Sequence, residues 1–283
     1  MTEVVQSGMS QDRSDTVRRP LPDFVPAAGL MIVALLLWEL GVRLFNVPEF
    51  VVPAPSAVFR SLIESRYHLM VAAKVTAIEV LVGFILSAVV GIAVALVIAR
   101  FERFGRALYP LIVLFQNVPK VALAPIFILW FGYDMAPKLL LIVVIAFFPV
   151  TIDMLAGLQS VEPSFVSLMK SVGANKNKIM LRVRIPHALP HLFAGLKVAI
   201  TFSVIGAIVG EFAGANAGLG YVIQFASTQL DTPLVFSALL VISVLGLAFY
   251  YVVELAERFL VPWSPKYDTR QRSHYHNNKP NPN

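Results

Sequence analysis

The chain has 283 residues and a formal net charge of +6; 57% of it is hydrophobic, only 14% is charged, and its mean hydropathy is +0.74. That much apolar surface exceeds what one soluble core of this length can hide, which excludes a soluble globular protein and predicts an all-α integral membrane protein. The absence of cysteine excludes disulfides, thiolate chemistry, iron–sulfur clusters and Cys-ligated zinc.

Residues 1–23 are polar and without helical period, so they read as a disordered tail. An apolar run over 24–45 follows, long enough to cross a hydrocarbon layer of about 30 Å. It is too long for the apolar region of a signal peptide and lacks a clean small-residue cleavage site, so it is expected to stay as the first span. Together with its connecting loop it makes up 24–70. Further spans are expected at 71–99, 108–131, 138–158, 192–212 and 234–254, about six in all, inside a core of 71–260. The remainder, 261–283, is Pro/Asn-rich and reads as a second disordered tail. His274 and His276 in that tail read as incidental, and no other His pair has metal-ligand spacing. No cofactor is expected.

In the second span Gly83, Ser87, Gly91, Ala95 and Ala99 recur every four residues, and Gly195, Ala199, Ser203 and Ala207 repeat the pattern in the fifth. Small side chains on one face let another helix approach closely, whether in the same subunit, at a subunit interface or along a pathway wall. The third span carries Pro110, Pro119 and Pro125 and the fourth Pro149. Each predicts a kink, and the carbonyls it frees must be buried or face a water-filled cavity. Gln116, Asn117 and Lys120 add polar groups at that depth; with Glu79 and Ser203 they form the candidate pathway. Glu79 and Lys120 are equally suited to an internal ion pair. Lys74, Asp153, Lys197 and Glu211 lie near span ends and read as snorkelling groups that meet lipid headgroups.

Between the fourth and fifth spans, 162–190 is a polar, basic insert with two amphipathic helical patterns. Phe165, Leu168, Met169 and Val172 form one stripe, and Ile179, Met180 and Val183 another. Gly173 is the expected hinge, and Pro186 and Pro190 are expected to end the second helix. The stripes are expected to hold these helices against the membrane domain.

The loop after the fifth span carries Gly214, Asn216, Gly218 and Gly220. Its glycine spacing is not that of a phosphate-binding loop and no Lys follows, so ATP is not expected there. A flexible re-entrant turn or external gate fits the stretch, and so does a plain connector. No Walker A motif occurs anywhere in the sequence, so the chain is not itself an ATPase and ATP-driven work would need a separate one.

Lys and Arg concentrate before the first span, between the second and third, in 162–190 and after the last span. The alternate loops hold far fewer, which places both termini and the insert in the cytoplasm. The same distribution assigns the net positive charge to topology and anionic lipid and away from nucleic acid.

The insert resembles the cytoplasmic loop of permease subunits from binding-protein-dependent ABC importers, whose pattern is Glu-Ala-Ala, three residues, Gly, nine residues, Ile, one residue, Leu-Pro. Here Gly173 holds the glycine position, Val183 the Ile position, and Ile185 and Pro186 the Leu-Pro position; the opening triplet departs, being Ser167, Leu168 and Met169. The stretches 116–132, 158–163 and 210–223 are similar to the branch that imports nitrate, taurine and aliphatic sulfonates, and related permeases serve thiamine-precursor pyrimidines and riboflavin.

The resemblance implies a type I ABC importer permease of a bacterial inner membrane. It implies a homodimer with a second copy, two ATP-binding ABC ATPase subunits and an extracytoplasmic solute-binding protein. ATPase docking is then expected at Ser167, Leu168, Met169, Gly173, Ala174, Asn175, Lys176, Lys178, Val183, Ile185 and Pro186. A stand-alone secondary carrier would be expected to show an internal repeat or a buried ion relay, and neither is apparent. An intramembrane enzyme would need a catalytic constellation that the sequence does not offer.

Overall fold

The computed structural model describes residues 24–263; most of the two tails, including His274 and His276, lies outside the described residues. The described chain is helical throughout: α1 (Phe24–Leu44), α2 (Pro55–Glu64), α3 (Arg66–Arg100), α4 (Glu102–Gln116), α5 (Ala124–Phe131), α6 (Met135–Gln159), α7 (Pro163–Ser171), α8 (Lys176–Ile179), α9 (Ile185–Gly214), α10 (Leu219–Thr228) and α11 (Thr232–Leu260). Among the described residues α3, α6, the continuous run Lys176–Gly214 and α11 are long and apolar enough to cross a membrane, and a bent α4–α5 pair makes a fifth candidate. The 21 residues of α1 give a length of about 31 Å at 1.5 Å per residue. Val261, just past the end of α11, is buried in the helical core.

Helix α6 is the axis of the bundle. It runs parallel to α3 and antiparallel to α9, and both small-residue faces close on it. A Cβ at Gly83 or Gly91 of α3 would come within 2.5 Å of Ile142 Cγ2 or 2.7 Å of Val150 Cβ. On α9 a Cβ at Gly195 would lie 2.8 Å from the Pro149 carbonyl oxygen, and one at Gly210 3.1 Å from Lys138 Cγ. The stripes therefore serve packing within one subunit, and the three helices approach closely because these positions carry no side chain.

Two expectations about proline are corrected. The third span is not merely kinked: the chain turns through 81° between Pro110–Gln116 and Lys120–Phe131. Proline at 119 disfavours helical geometry at Val118 and donates no hydrogen bond, whereas Pro125 sits in the first turn of α5, where its missing N–H has no partner to lose. Conversely, Pro186 and Pro190 do not end the second helix of the insert, because α8 passes through a π-helical turn, Met180–Arg184, straight into α9. There the Ile185 N–H donates to the Met180 carbonyl five residues back, a widened turn that accommodates proline where the α-helical ladder would clash with it.

Side-chain caps fix the helix starts. Asp134 accepts from Met135 N at 2.8 Å, Asn175 from Lys178 N at 2.8 Å, and Asp231 from Leu234 N at 3.1 Å.

Candidate functional site

At the end of the bundle where α9 stops and α10 starts, a buried carboxylate fastens the glycine-rich loop. Glu211, on the last turn of α9, is 0% exposed. Its Oε1 accepts from the Thr76 hydroxyl at 2.6 Å, and its Oε2 accepts from Gly220 N at 2.5 Å. Thr76 in turn accepts from Leu219 N at 2.9 Å. Two of the donors that the first turn of α10 leaves open are thereby satisfied by α3 and α9. Gly218 turns the chain at φ +111, a conformation that disfavours side chains, and a Cβ there would collide with the Glu211 carboxylate. At Gly220 a Cβ would come within 2.8 Å of Glu211 Cβ.

Three side chains singled out in the sequence lie in this part of the bundle. Glu211 is not a snorkelling group, and the loop it holds is pinned to α3. Glu79 is 2% exposed and forms an ion pair with Lys138, the internal pairing that was one of its two expected roles. Ser203 is fully buried, with its hydroxyl donating to the Ala199 carbonyl of its own helix at 2.8 Å, so it faces packed protein. Gly214 lies against Tyr133, where a Cβ would approach the ring to 2.6 Å, and Asn216 is exposed. Sequence reading missed Thr76, Lys138 and Glu211; the usable signal was a carboxylate at a helix end followed by two glycines around one leucine.

Lys197 is also paired, with Glu257 Oε2 at 2.5 Å, which ties α9 to α11.

The break in the third span gathers the remaining pathway candidates. Lys120 Nζ donates to the Gln116 carbonyl at 2.8 Å and lies 4.8 Å from the centre of the Phe148 ring, so it is held by a carbonyl and an aromatic face rather than by a carboxylate. Gln116 and Asn117 are exposed beside it.

At the opposite end of α6 the insert is a short hairpin. Gly173 carries φ +78 between α7 and α8, and its N–H donates to the Lys170 carbonyl at 3.0 Å. A Cβ at this position would meet nothing within 4 Å. The two apolar stripes behave differently. Ile179 is buried and Met180 packs on the core, as expected. Phe165, Leu168 and Val172 instead point away from the bundle, at 58%, 61% and 72% exposure, which corrects the expectation that both stripes face the membrane domain. Ser167, Asn175, Lys176 and Lys178 are exposed beside them, Met169 and Ala174 are half-buried, and Val183, Ile185 and Pro186 form the half-buried root of the long helix.

The chain is a bundle of apolar helices closed on one central helix, with an exposed apolar face on the basic hairpin at one end. The fold is shared with a chain of the inward-facing MetNI methionine ABC transporter, at TM-score 0.60 and 17% identity over 72% of this chain and 99% of that one. Residues 87–263 match the family model described as binding-protein-dependent transport system inner membrane component, and the chain belongs to that family. It is 36% identical over 83% of its length to the formylaminopyrimidine transport permease of Halalkalibacterium halodurans, covering 94% of that protein. To a putative aliphatic sulfonates transport permease of Bacillus subtilis it is 29% identical, over 85% of this chain and 88% of that one. It is a multi-pass permease subunit of a binding-protein-dependent ABC importer.

Proposed function

We propose that two copies of this chain form the pathway of an inner-membrane importer driven by two separate ABC ATPase subunits and supplied by an extracytoplasmic solute-binding protein. The observation that carries the reading is the α7 face, where Phe165, Leu168 and Val172 stand exposed beside the Gly173 turn. Apolar side chains on a polar, basic hairpin are unfavourable in water, and a cleft on a partner protein removes that cost. The hairpin and both termini are cytoplasmic in this reading, on the strength of Lys170, Lys176, Lys178, Arg182 and Arg184 in the insert. Closure of the ATPases would then push on α7. Because α8 continues through the π turn into α9, a push at the hairpin would move a 39-residue rod whose far end carries Glu211.

The pathway is assigned to the broken third span, with Gln116, Asn117 and Lys120. For the solute, likeness of the stretches 116–132 and 210–223 supports a small solute of the nitrate, sulfonate or taurine class. A second reading, a thiamine-precursor pyrimidine or riboflavin, is favoured by the higher identity to the formylaminopyrimidine and riboflavin permeases.

The test is purification of the tagged chain from its native membrane with identification of what accompanies it. An ATPase with a Walker A motif and a solute-binding protein are expected, and ligand screening of that binding protein separates the two solute classes. Recovery of the chain alone, repeated under crosslinking, would overturn the importer assembly.

A further inference from the structure

We propose that the cleft between the end of α1 and the start of α2 binds one phospholipid headgroup carrying both a phosphate diester and a primary ammonium, that is, phosphoethanolamine. Such a site is independent of the solute and of the ATPase, and needs only that α1 crosses the bilayer.

The chain leaves α1 at Leu44 and enters α2 at Pro55, and between them lies a cavity of about 520 Å3, within the roughly 300–1,000 Å3 of small-molecule sites. Arg43, Asn46, Glu49, Ser56 and Arg60 supply its polar lining. Glu39 holds Arg43 in place. Its Oε1 accepts from Arg43 Nε at 2.6 Å and from Ser56 Oγ at 2.8 Å, and its Oε2 accepts from Ser56 N at 3.0 Å. Arg43 Nη2 reaches Glu39 and Ser56 as well, which leaves Nη1 without a partner among the described residues. The side chains of Arg60 and Glu49 form no ion pair or hydrogen bond among the described residues, although both line the same cavity.

Two guanidiniums, one of them pre-oriented by a carboxylate, suit the oxygens of a phosphate. The Glu49 carboxylate suits an ammonium beside it. Arg43 and Arg60 are balanced by Glu39 and Glu49, so the cleft matches a headgroup of no net charge better than an anionic one. Its surroundings point to a lipid and not to a soluble phosphate ester. The 21 residues of α1 reach about 31 Å, so Arg43 in the last turn lies where the hydrocarbon layer ends. Leu40 and Leu44 of α1 and Phe59 and Ile63 of α2 stand exposed, each within one turn of an arginine of the cleft. Acyl chains can lie on these apolar side chains while the headgroup enters the cavity.

The test is native mass spectrometry of the purified full-length chain, titrated with phosphatidylethanolamine, phosphatidylglycerol and inorganic phosphate. Phosphatidylethanolamine is expected to bind more tightly than phosphatidylglycerol. Arg60→Gln should weaken it about tenfold, the loss of a charge-assisted hydrogen bond, and Glu49→Gln should abolish the preference between the two lipids. Arg66→Gln is the control, because that guanidinium sits on the Ile63 carbonyl outside the cavity, and it should bind as wild type does. Equal binding by wild type and Arg60→Gln overturns the proposal, and so does an equal loss in Arg66→Gln, which would mark general surface charge. A preference that survives Glu49→Gln overturns the ammonium assignment. Displacement of the lipid by inorganic phosphate would make the cleft a free-anion site instead. If Arg60→Gln spares lipid binding but weakens capture of the solute-binding protein, the cleft belongs to that partner and the lipid proposal fails.

Discussion

Gly220 N–H and Glu211 Oε2 meet across 2.5 Å, nine residues apart in sequence, and through that bond the start of α10 is held on the end of α9. The space the carboxylate needs exists because residues 218 and 220 lack side chains. A glycine-leucine-glycine stretch is therefore a mould around Glu211, with Leu219 between the glycines fully buried.

Gly220→Ala should lower stability by about 1–3 kcal/mol, the usual penalty for forcing a methyl group into packed protein. The new Cβ would meet Glu211 at 2.8 Å and the Ile208 carbonyl oxygen at 3.0 Å. Thermal unfolding of the purified chain measures this. Gly218→Ala should be worse, since it adds backbone strain at φ +111 to the clash.

Thr76→Val keeps the side-chain shape but removes both the donor to Glu211 and the acceptor for Leu219 N. The cost expected is about 1–3 kcal/mol per buried group left unpaired. Thr76→Ser should stay close to wild type, and denaturant unfolding of the two variants side by side checks the contrast.

Lys138→Met leaves Glu79 buried without its cation and should destabilise by about 3–5 kcal/mol. The double variant Lys138→Met/Glu79→Leu should recover most of the loss, because the pair is removed together. A double-mutant cycle on unfolding free energies reads the coupling directly.

The sequence made the architecture plain. Runs such as 138–158 and 234–254 are too long and too apolar for anything but spans, and the four-residue spacing of Gly83, Ser87 and Gly91 announced a close helix contact. Which helix it met was not visible, since spacing on one strip of surface says nothing of its partner; Ile142 and Val150 of α6 turned out to fill it. Glu211 was misread because distance from the end of a span was taken as a measure of exposure, whereas α10 folds back over that end and buries it. Pro186 was misread because a π turn, which has no sequence period of its own, precedes it and absorbs it, and Pro190 because the helix continues through it. The hairpin at Gly173 was legible in position but not in facing: the stripe of Phe165, Leu168 and Val172 marks an apolar face without saying whether its own bundle or another protein covers it.

Gly173→Asp should leave folding and membrane insertion intact, because the position opens onto free space, and should abolish solute uptake and its coupling to ATP hydrolysis. Reconstituted vesicles with the partner subunits measure both. Some loss of stability, about 1 kcal/mol for a side chain held at φ +78, is expected alongside.

The docking of α7 on an ATPase is tested most directly by crosslinking. The chain has no cysteine of its own, so Leu168→Cys places a single thiol on the exposed face of α7. With a short thiol-to-amine reagent in native membranes, that thiol is predicted to join the chain to an ABC ATPase, and Gly173→Asp in the same background should abolish the adduct. A thiol that reacts freely with the reagent yet never links to another protein would contradict the account.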